Sequence, residues 1–206
     1  MKFMLRSFAG LLALLVFSLP PAAAENAWEL KKDSEGIQVH TREVAGSPIL
    51  EYKGRVVVAR PLEAVTAYYE DAAAMTEWFH NCTASRLLED RGPEEKLLYF
   101  VIAMPWPVKN RDGVYRRVRT TDAATGTVEY RVTAEPESLP PADGLIRMPM
   151  LQGLWRFTPQ ADGSTEMEYQ QHSDTGGHIP AVVVNQLAVS IPFNTLRNFR
   201  EKLEKK

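Results

Sequence analysis

The sequence predicts an α+β domain in which a curved antiparallel sheet wraps around one long C-terminal helix. Three observations carry that prediction. From residue 83 onward, six strand-like segments follow one another, joined by short turns rich in Gly, Pro and Asp. Two further strand patterns precede them, separated from them by a pair of short helical patterns. The chain then closes on a long apolar stretch at helical spacing, the natural cover for a sheet with one apolar face.

The elements justify themselves in order. The opening stretch carries Lys2 and Arg6, an apolar run from Phe8 to Leu19, and Ala22-Ala23-Ala24 ahead of Glu25. This is the pattern of a secretory signal with a small-residue cleavage site. The apolar run, about a dozen residues, falls short of the roughly 20 that a relaxed membrane span needs. We therefore expect a signal peptide over residues 1–24, a single mature domain over 25–206, and a periplasmic or secreted location. GIQVHTREV (36–44) alternates and reads as a strand behind the turn Glu35-Gly36, and ILEYKGRVVVA (49–59) reads as a second. Pro61 opens LEAVTAYYED, with Leu62, Val65, Tyr68 and Tyr69 at helical spacing, and AAAMTEWFH continues as a second short helix.

The β-rich half follows: TASRLLED, KLLYFVIAM, DGVYRRVRTT, GTVEYRVTAE, LIRMPMLQGLWRFTP and STEMEYQQHSD, separated by DRGPEE, DAATG, PESLPPADG and QADG. Tight turns between consecutive strands mean antiparallel pairing. The last segment starts at Pro180 and places Val183, Leu187, Ile191, Leu196, Phe199 and Leu203 on a helical stripe, with Pro192 inside it predicting a kink or a lost hydrogen bond.

Composition excludes several functions. The formal charge of −2 becomes −4 once Lys2 and Arg6 leave with the signal. A mildly acidic chain is a poor partner for nucleic acid, whose phosphates want a basic face. Cys82 is the one cysteine, so no internal disulfide forms, and it reads as a small buried residue. His80 beside it would suit a thiol nucleophile only with a third, orienting group. His40, His80, His172 and His178 have no metal-ligand spacing, so no metal or other cofactor is expected.

Several pieces, in order, then match a known family: Trp28 with Glu35-Gly36-Ile37-Gln38-Val39, Glu77-Trp78, Pro105-Trp106-Pro107 followed by Arg111-Asp112-Gly113-Val114, Arg147 with Trp155 and Pro159, and Asp174-Thr175-Gly176-Gly177-His178-Ile179-Pro180 leading to Val184-Asn185 and Pro192. On these the chain resembles the StAR-related lipid-transfer (START) family, a helix-grip fold, from roughly Trp28 to Leu203. The resemblance implies that sheet and helix enclose an apolar tunnel holding one lipid or other hydrophobic molecule. It also implies that the loop Met104–Asn110 forms part of a lid, and that the protein binds or transfers its ligand without catalysis. A monomer making transient contact with membranes is the matching expectation.

Candidate ligand-binding residues come from strand faces and from the family match together. Met167, Tyr169 and Gln171 share one face of their strand and should point inward, as should Val128, Tyr130 and Val132 on theirs. For VYRRVR, apolar alternation alone turns Val114 and Val118 inward and carries Arg116 with them. The family pattern Arg-Asp-x-Val-x-x-Arg instead matches Arg117 to a cavity arginine, with Tyr115 on its face, and we take that register. Arg117 is expected to meet the ligand's polar group, because an apolar pocket strips several kcal/mol of hydration from a guanidinium that has no partner. Met104 and Trp106 are expected at the lid, and Asn185 either faces the tunnel or caps a neighbouring strand. The alternative function is a helix-grip enzyme, a cyclase or hydrolase acting in the same cavity. That chemistry needs a positioned acid or base, and the inward faces offer Tyr115, Tyr130 and Tyr169 but no paired carboxylates.

Overall fold

The computed structural model describes residues 27–206; the expected signal peptide lies outside the described residues. The elements run β1 (Glu29–Ser34), β2 (Ile37–Val44), β3 (Ser47–Val58), α1 (Leu62–Glu70), α2 (Met75–Trp78), β4 (Cys82–Asp90), β5 (Glu95–Ile102) and β6 (Arg111–Thr121), then β7 (Val128–Ala134), β8 (Ile146–Arg147), β9 (Met150–Pro159), β10 (Thr165–Asp174) and α3 (Ala181–Glu204). The strands form one open sheet in the order β1-β2-β3-β10-β9-β7-β6-β5-β4, antiparallel throughout that path, with the two-residue β8 added parallel to β6. This is the α+β helix-grip architecture expected from the pattern: a strongly curved sheet closed by a long terminal helix.

Three details depart from the sequence reading. β1 was not among the expected strands; ELKKDS is polar and almost wholly exposed, as an edge strand with no buried face must be. The segment 145–159 is not one strand, because Pro149, which has no N–H to donate, separates β8 from β9. The second helix contracts to a single turn, and Asp71 orders the turn ahead of it by accepting the N–H groups of Ala73 and Ala74 at 2.9 and 3.2 Å.

The jump in strand order positions the site. β3 pairs with the last strand, β10, so the chain must cross the concave face to reach β4 at the far edge. α1 and α2 make that crossing, and α3 lies beside them against β2 and β3. Contact between α3 and the sheet is closest at Gly54, where a Cβ would come within 2.6 Å of Leu196 Cδ1 and 3.3 Å of Pro192 Cβ. Pro192 thus sits buried on the sheet side of α3, and with no N–H it leaves the Ala188 carbonyl without its helical donor. Under the helices lies an aromatic core. Tyr69 packs its ring against Trp78, Tyr130, Trp155 and Phe157, and Trp155 stacks on Tyr169 at 3.8 Å. On the opposite, convex face a smaller cluster of Leu97, Tyr99 and Val114 is covered by Leu139 and its loop.

Candidate functional site

Between the concave sheet and α3 the core does not close. A cavity of about 1300 Å³, its open mouth included, is bounded by Leu98, Phe100, Tyr115, Val132, Leu151 and Trp155 from the sheet. Tyr69, Met75, Trp78 and Phe79 contribute from the crossing helices, and Val184, Leu187, Ala188 and Ile191 from α3. At the mouth the wall is made by Ile102, Ala103, Met104 and Pro105 on one side and by Ser173, Thr175 and Val184 on the other. Two exposed apolar groups flank that opening: Trp106, 92% exposed at the tip of the loop before β6, and Val182 and Val183 in the first turn of α3.

The inward row of β6 carries the charge of the cavity. Arg111, Tyr115 and Arg117 all line it, whereas Arg116 lies on the other face with Glu95 and Glu135. Alternation pointed to Arg116 because Val114 is buried, but Val114 is buried on the convex face under the Leu139 loop. A sheet covered on both sides loses its simple two-period signal there. Arg117 is 5% exposed and donates to the carbonyls of Tyr69 and Glu70, both at 3.2 Å, with its guanidinium over the Tyr69 and Tyr130 rings. Those carbonyls end α1, so the cation meets the negative pole of a helix and two ring faces.

Arg111 lies at the mouth and is 2% exposed. It donates to three loop carbonyls: Lys109, Thr175 at 3.3 Å and Gly176 at 3.2 Å. Its neighbour Asp112 cannot neutralise it. Asp112 points to the convex face, fully buried, and is taken up by Arg147 through two bonds of 3.1 and 2.8 Å. Arg147 also donates to the carbonyls of Pro136, Leu139 and Pro140, fastening that loop to β6. Gly176 and Gly177, beneath which Arg111 passes, have φ of +67° and +72°, and a Cβ on Gly176 would stand 3.0 Å from the Arg147 carbonyl. Only glycine fits that junction.

A polar line runs along β10. Tyr169 donates to Gln171 at 2.7 Å, so Tyr52, 2.7 Å from Tyr169, must donate to it; Gln171 in turn donates to Ser173 at 3.1 Å. The line is polarised, and the donors left over are the second Gln171 N–H and the Ser173 O–H, both on the cavity wall. The Trp78 indole N–H, deeper in, has no acceptor among the described residues.

The remaining expected residues divide. Met104, Tyr115, Arg117 and Gln171 line the cavity. Tyr130, Met167 and Tyr169 face inward as expected but sit behind the cavity wall, not on it. Tyr130 donates to Glu70 at 2.6 Å, Met167 is fully buried in the core, and Tyr169 is spent on its stacking and its hydrogen-bonded line. Asn185 belongs to the capping alternative: it accepts from Leu50 N–H at 2.9 Å and donates to the Pro48 carbonyl at 3.0 Å, completing the edge of β3. Trp106 does not touch the cavity at all. Sequence reasoning left Arg111 unassigned, although it stands six residues before Arg117 with the same parity on an extended strand; that parity was the available signal.

Asp71 is the one carboxylate of the cavity wall, and it is engaged by the N–H groups of the turn between α1 and α2. Cys82 is buried, its thiol pushed up to about 11 by burial, so it is not a thiolate at neutral pH. No cluster of three His, Cys, Asp or Glu side chains able to hold a metal occurs among the described residues. No described helix is long and apolar enough to cross a membrane.

Comparison with known proteins places this geometry. The START domain family model matches residues 12–206. An uncharacterised Pseudomonas aeruginosa protein is 36% identical over 95% of this chain and 96% of its own length. The phosphatidylcholine transfer protein of Bos taurus is 29% identical over 82% of this chain and 80% of its own. Among solved structures, a STAR-related lipid transfer protein fragment from Xanthomonas axonopodis superposes with a TM-score of 0.81 at 38% identity, covering 86% of this chain and 98% of that one. The chain belongs to the START domain family.

Proposed function

We propose that this START-family protein holds a single lipid-like molecule in the cavity beneath α3, carries it between membranes, and releases it unchanged. The observation that carries the reading is an apolar cavity with exposed Trp106, Val182 and Val183 next in the chain to its lining residues Pro105 and Val184. Burying an acyl chain gains about 0.8 kcal/mol per methylene, so the apolar wall alone supplies ample affinity. Relatives named as lipid transfer proteins support the same reading. Trp106 suits the boundary between headgroups and acyl chains, where one edge of the indole is wet and the rest is not. Transient contact of this rim with a bilayer lets the ligand pass without crossing water, and the carrier works as a monomer in the periplasm or outside the cell.

Exchange requires the mouth to widen, and the Met104–Asn110 loop and the Gly176-Gly177 junction are the segments that can move. Native mass spectrometry of the mature protein is the direct test: a co-purified lipid of one molecule per chain is expected, and a chain that never takes one up from vesicles overturns the reading. A cross-link between Lys109→Cys and Val183→Cys, in a Cys82→Ala background, is expected to stop transfer between vesicles. Transfer at the uncross-linked rate would remove the gate from the mechanism.

A further inference from the structure

We infer that the ligand is an anionic amphiphile and that its charged oxygen group, a carboxylate or phosphodiester, docks at the mouth of the cavity on Arg111. The inference rests on the carrier reading above and assigns the chemistry of the ligand's head. Two buried cations line the same row of β6, six residues apart, which on an extended strand is roughly 20 Å. They are not equivalent. Arg117 has a helix terminus and two aromatic faces against it. Arg111 has loop carbonyls only; no carboxylate pairs with it among the described residues, and Asp112 is consumed by Arg147. Three carbonyls take three of its five N–H groups and none of its net charge.

A guanidinium held 98% out of water without a counter-ion is costly to keep. Burial accordingly pushes Arg111 below its ordinary range, with no neighbouring charge opposing the effect. The leftover donors of Gln171 and Ser173 lie along β10 on the way to Thr175, whose carbonyl Arg111 holds. The mouth therefore presents donors and a cation, and no acceptor charge, to whatever head group sits in it. A ligand inserted chain-first would leave its anionic group at Arg111. A ligand of the opposite orientation would have to carry its charge past Arg111 to the compensated Arg117.

The test compares oleate with oleyl alcohol, which share one chain and differ in the head. Wild-type protein is expected to bind oleate roughly tenfold or more tightly than oleyl alcohol. Arg111→Gln should erase that preference while leaving oleyl alcohol binding in place, and Arg111→Lys should retain part of it. Arg117→Met should keep the preference. Equal binding of the two probes to the wild type, or loss of the preference in Arg117→Met alone, overturns the assignment while the carrier reading stands. If neither probe binds, both fall together. Millimolar inorganic phosphate should not displace oleate; displacement would make this a site for a free anion and overturn the amphiphile. Should Arg111→Gln fail to fold, the wild-type and Arg117→Met arms decide alone.

Discussion

At one end of the β6 row Arg117 lies beneath the last turn of α1, bonded to two helix carbonyls and covered by Tyr69 and Tyr130. At the mouth Arg111 lies beneath two glycines that link β10 to α3, bonded to three loop carbonyls and covered by nothing aromatic. Both are almost fully buried and both sit on one row of one strand. The difference is what surrounds the charge. Arg117 is compensated by the fold itself, through the helix dipole and ring quadrupoles. Arg111 is left with an unneutralised charge, a state that folding alone does not favour. One end of the cavity is built for stability, and the other keeps a charge waiting for a ligand.

The sharpest way to break this comparison is to measure both truncations in the ligand-free protein. Arg117→Met strands two helix-end carbonyls and is expected to lower unfolding stability by about 3 kcal/mol. Arg111→Met also frees carbonyls, but it removes an uncompensated buried cation and should cost about 1 kcal/mol or less. Urea unfolding monitored by circular dichroism reads both values. Equal losses would mean that the two ends are not different in kind.

A second, smaller perturbation separates the cavity from its ends. Ala188→Trp projects a large ring from α3 into the cavity. It is expected to abolish uptake of a fluorescent fatty acid while changing stability by no more than about 1–3 kcal/mol, the usual cost of overpacking. Retained uptake would place the ligand outside the cavity.

How much of this was legible follows from what each residue depends on. Strand faces were readable wherever one face is buried, so Met167, Tyr169 and Gln171 could be set inward from alternation alone. Which inward residue reaches the cavity and which stands behind it depends on how far α3 is held from the sheet, and Gly54 with Leu196 sets that distance through space. Asn185 could not be assigned because its partners, Leu50 and Pro48, are more than 130 positions away. Trp28, a piece of the family match, is half-buried beneath Arg42 and Lys53, so its ring is covered by cations that alternation does not reveal. The Arg116–Arg117 ambiguity arose where a loop buries the convex face as well. Arg111 reads in the sequence as part of the Arg-Asp motif; that loop carbonyls alone meet its charge depends on contacts up to 65 positions away.

Smaller effects sharpen the account of the mouth. Trp106→Ser should slow ligand transfer between vesicles several-fold with no change in unfolding midpoint, since its side chain is solvated; stopped-flow transfer of a fluorescent lipid measures it. The smallest expected effect is on pH dependence. His80, on the cavity wall, and His40 are both held below the ordinary 6.5, in each case first by burial and then by nearby cations. The unfolded chain therefore takes up protons near 6.5 that the folded chain refuses, so this contribution to stability is present above that pH and lost as the pH falls below it. His80→Gln should flatten the decline.

Because α3 follows every strand in the chain, the cavity has no roof until Ala181–Glu204 have been made. A ribosome releasing the chain early leaves a curved sheet whose inner face is largely apolar and is covered by α1 and α2 only in part. The order of synthesis thus separates two tasks: the trough is formed first, and the vessel exists only once α3 has been made. A premature stop near Pro180 would yield a sticky half-shell, and quality control would meet it as an aggregating species instead of a weak carrier.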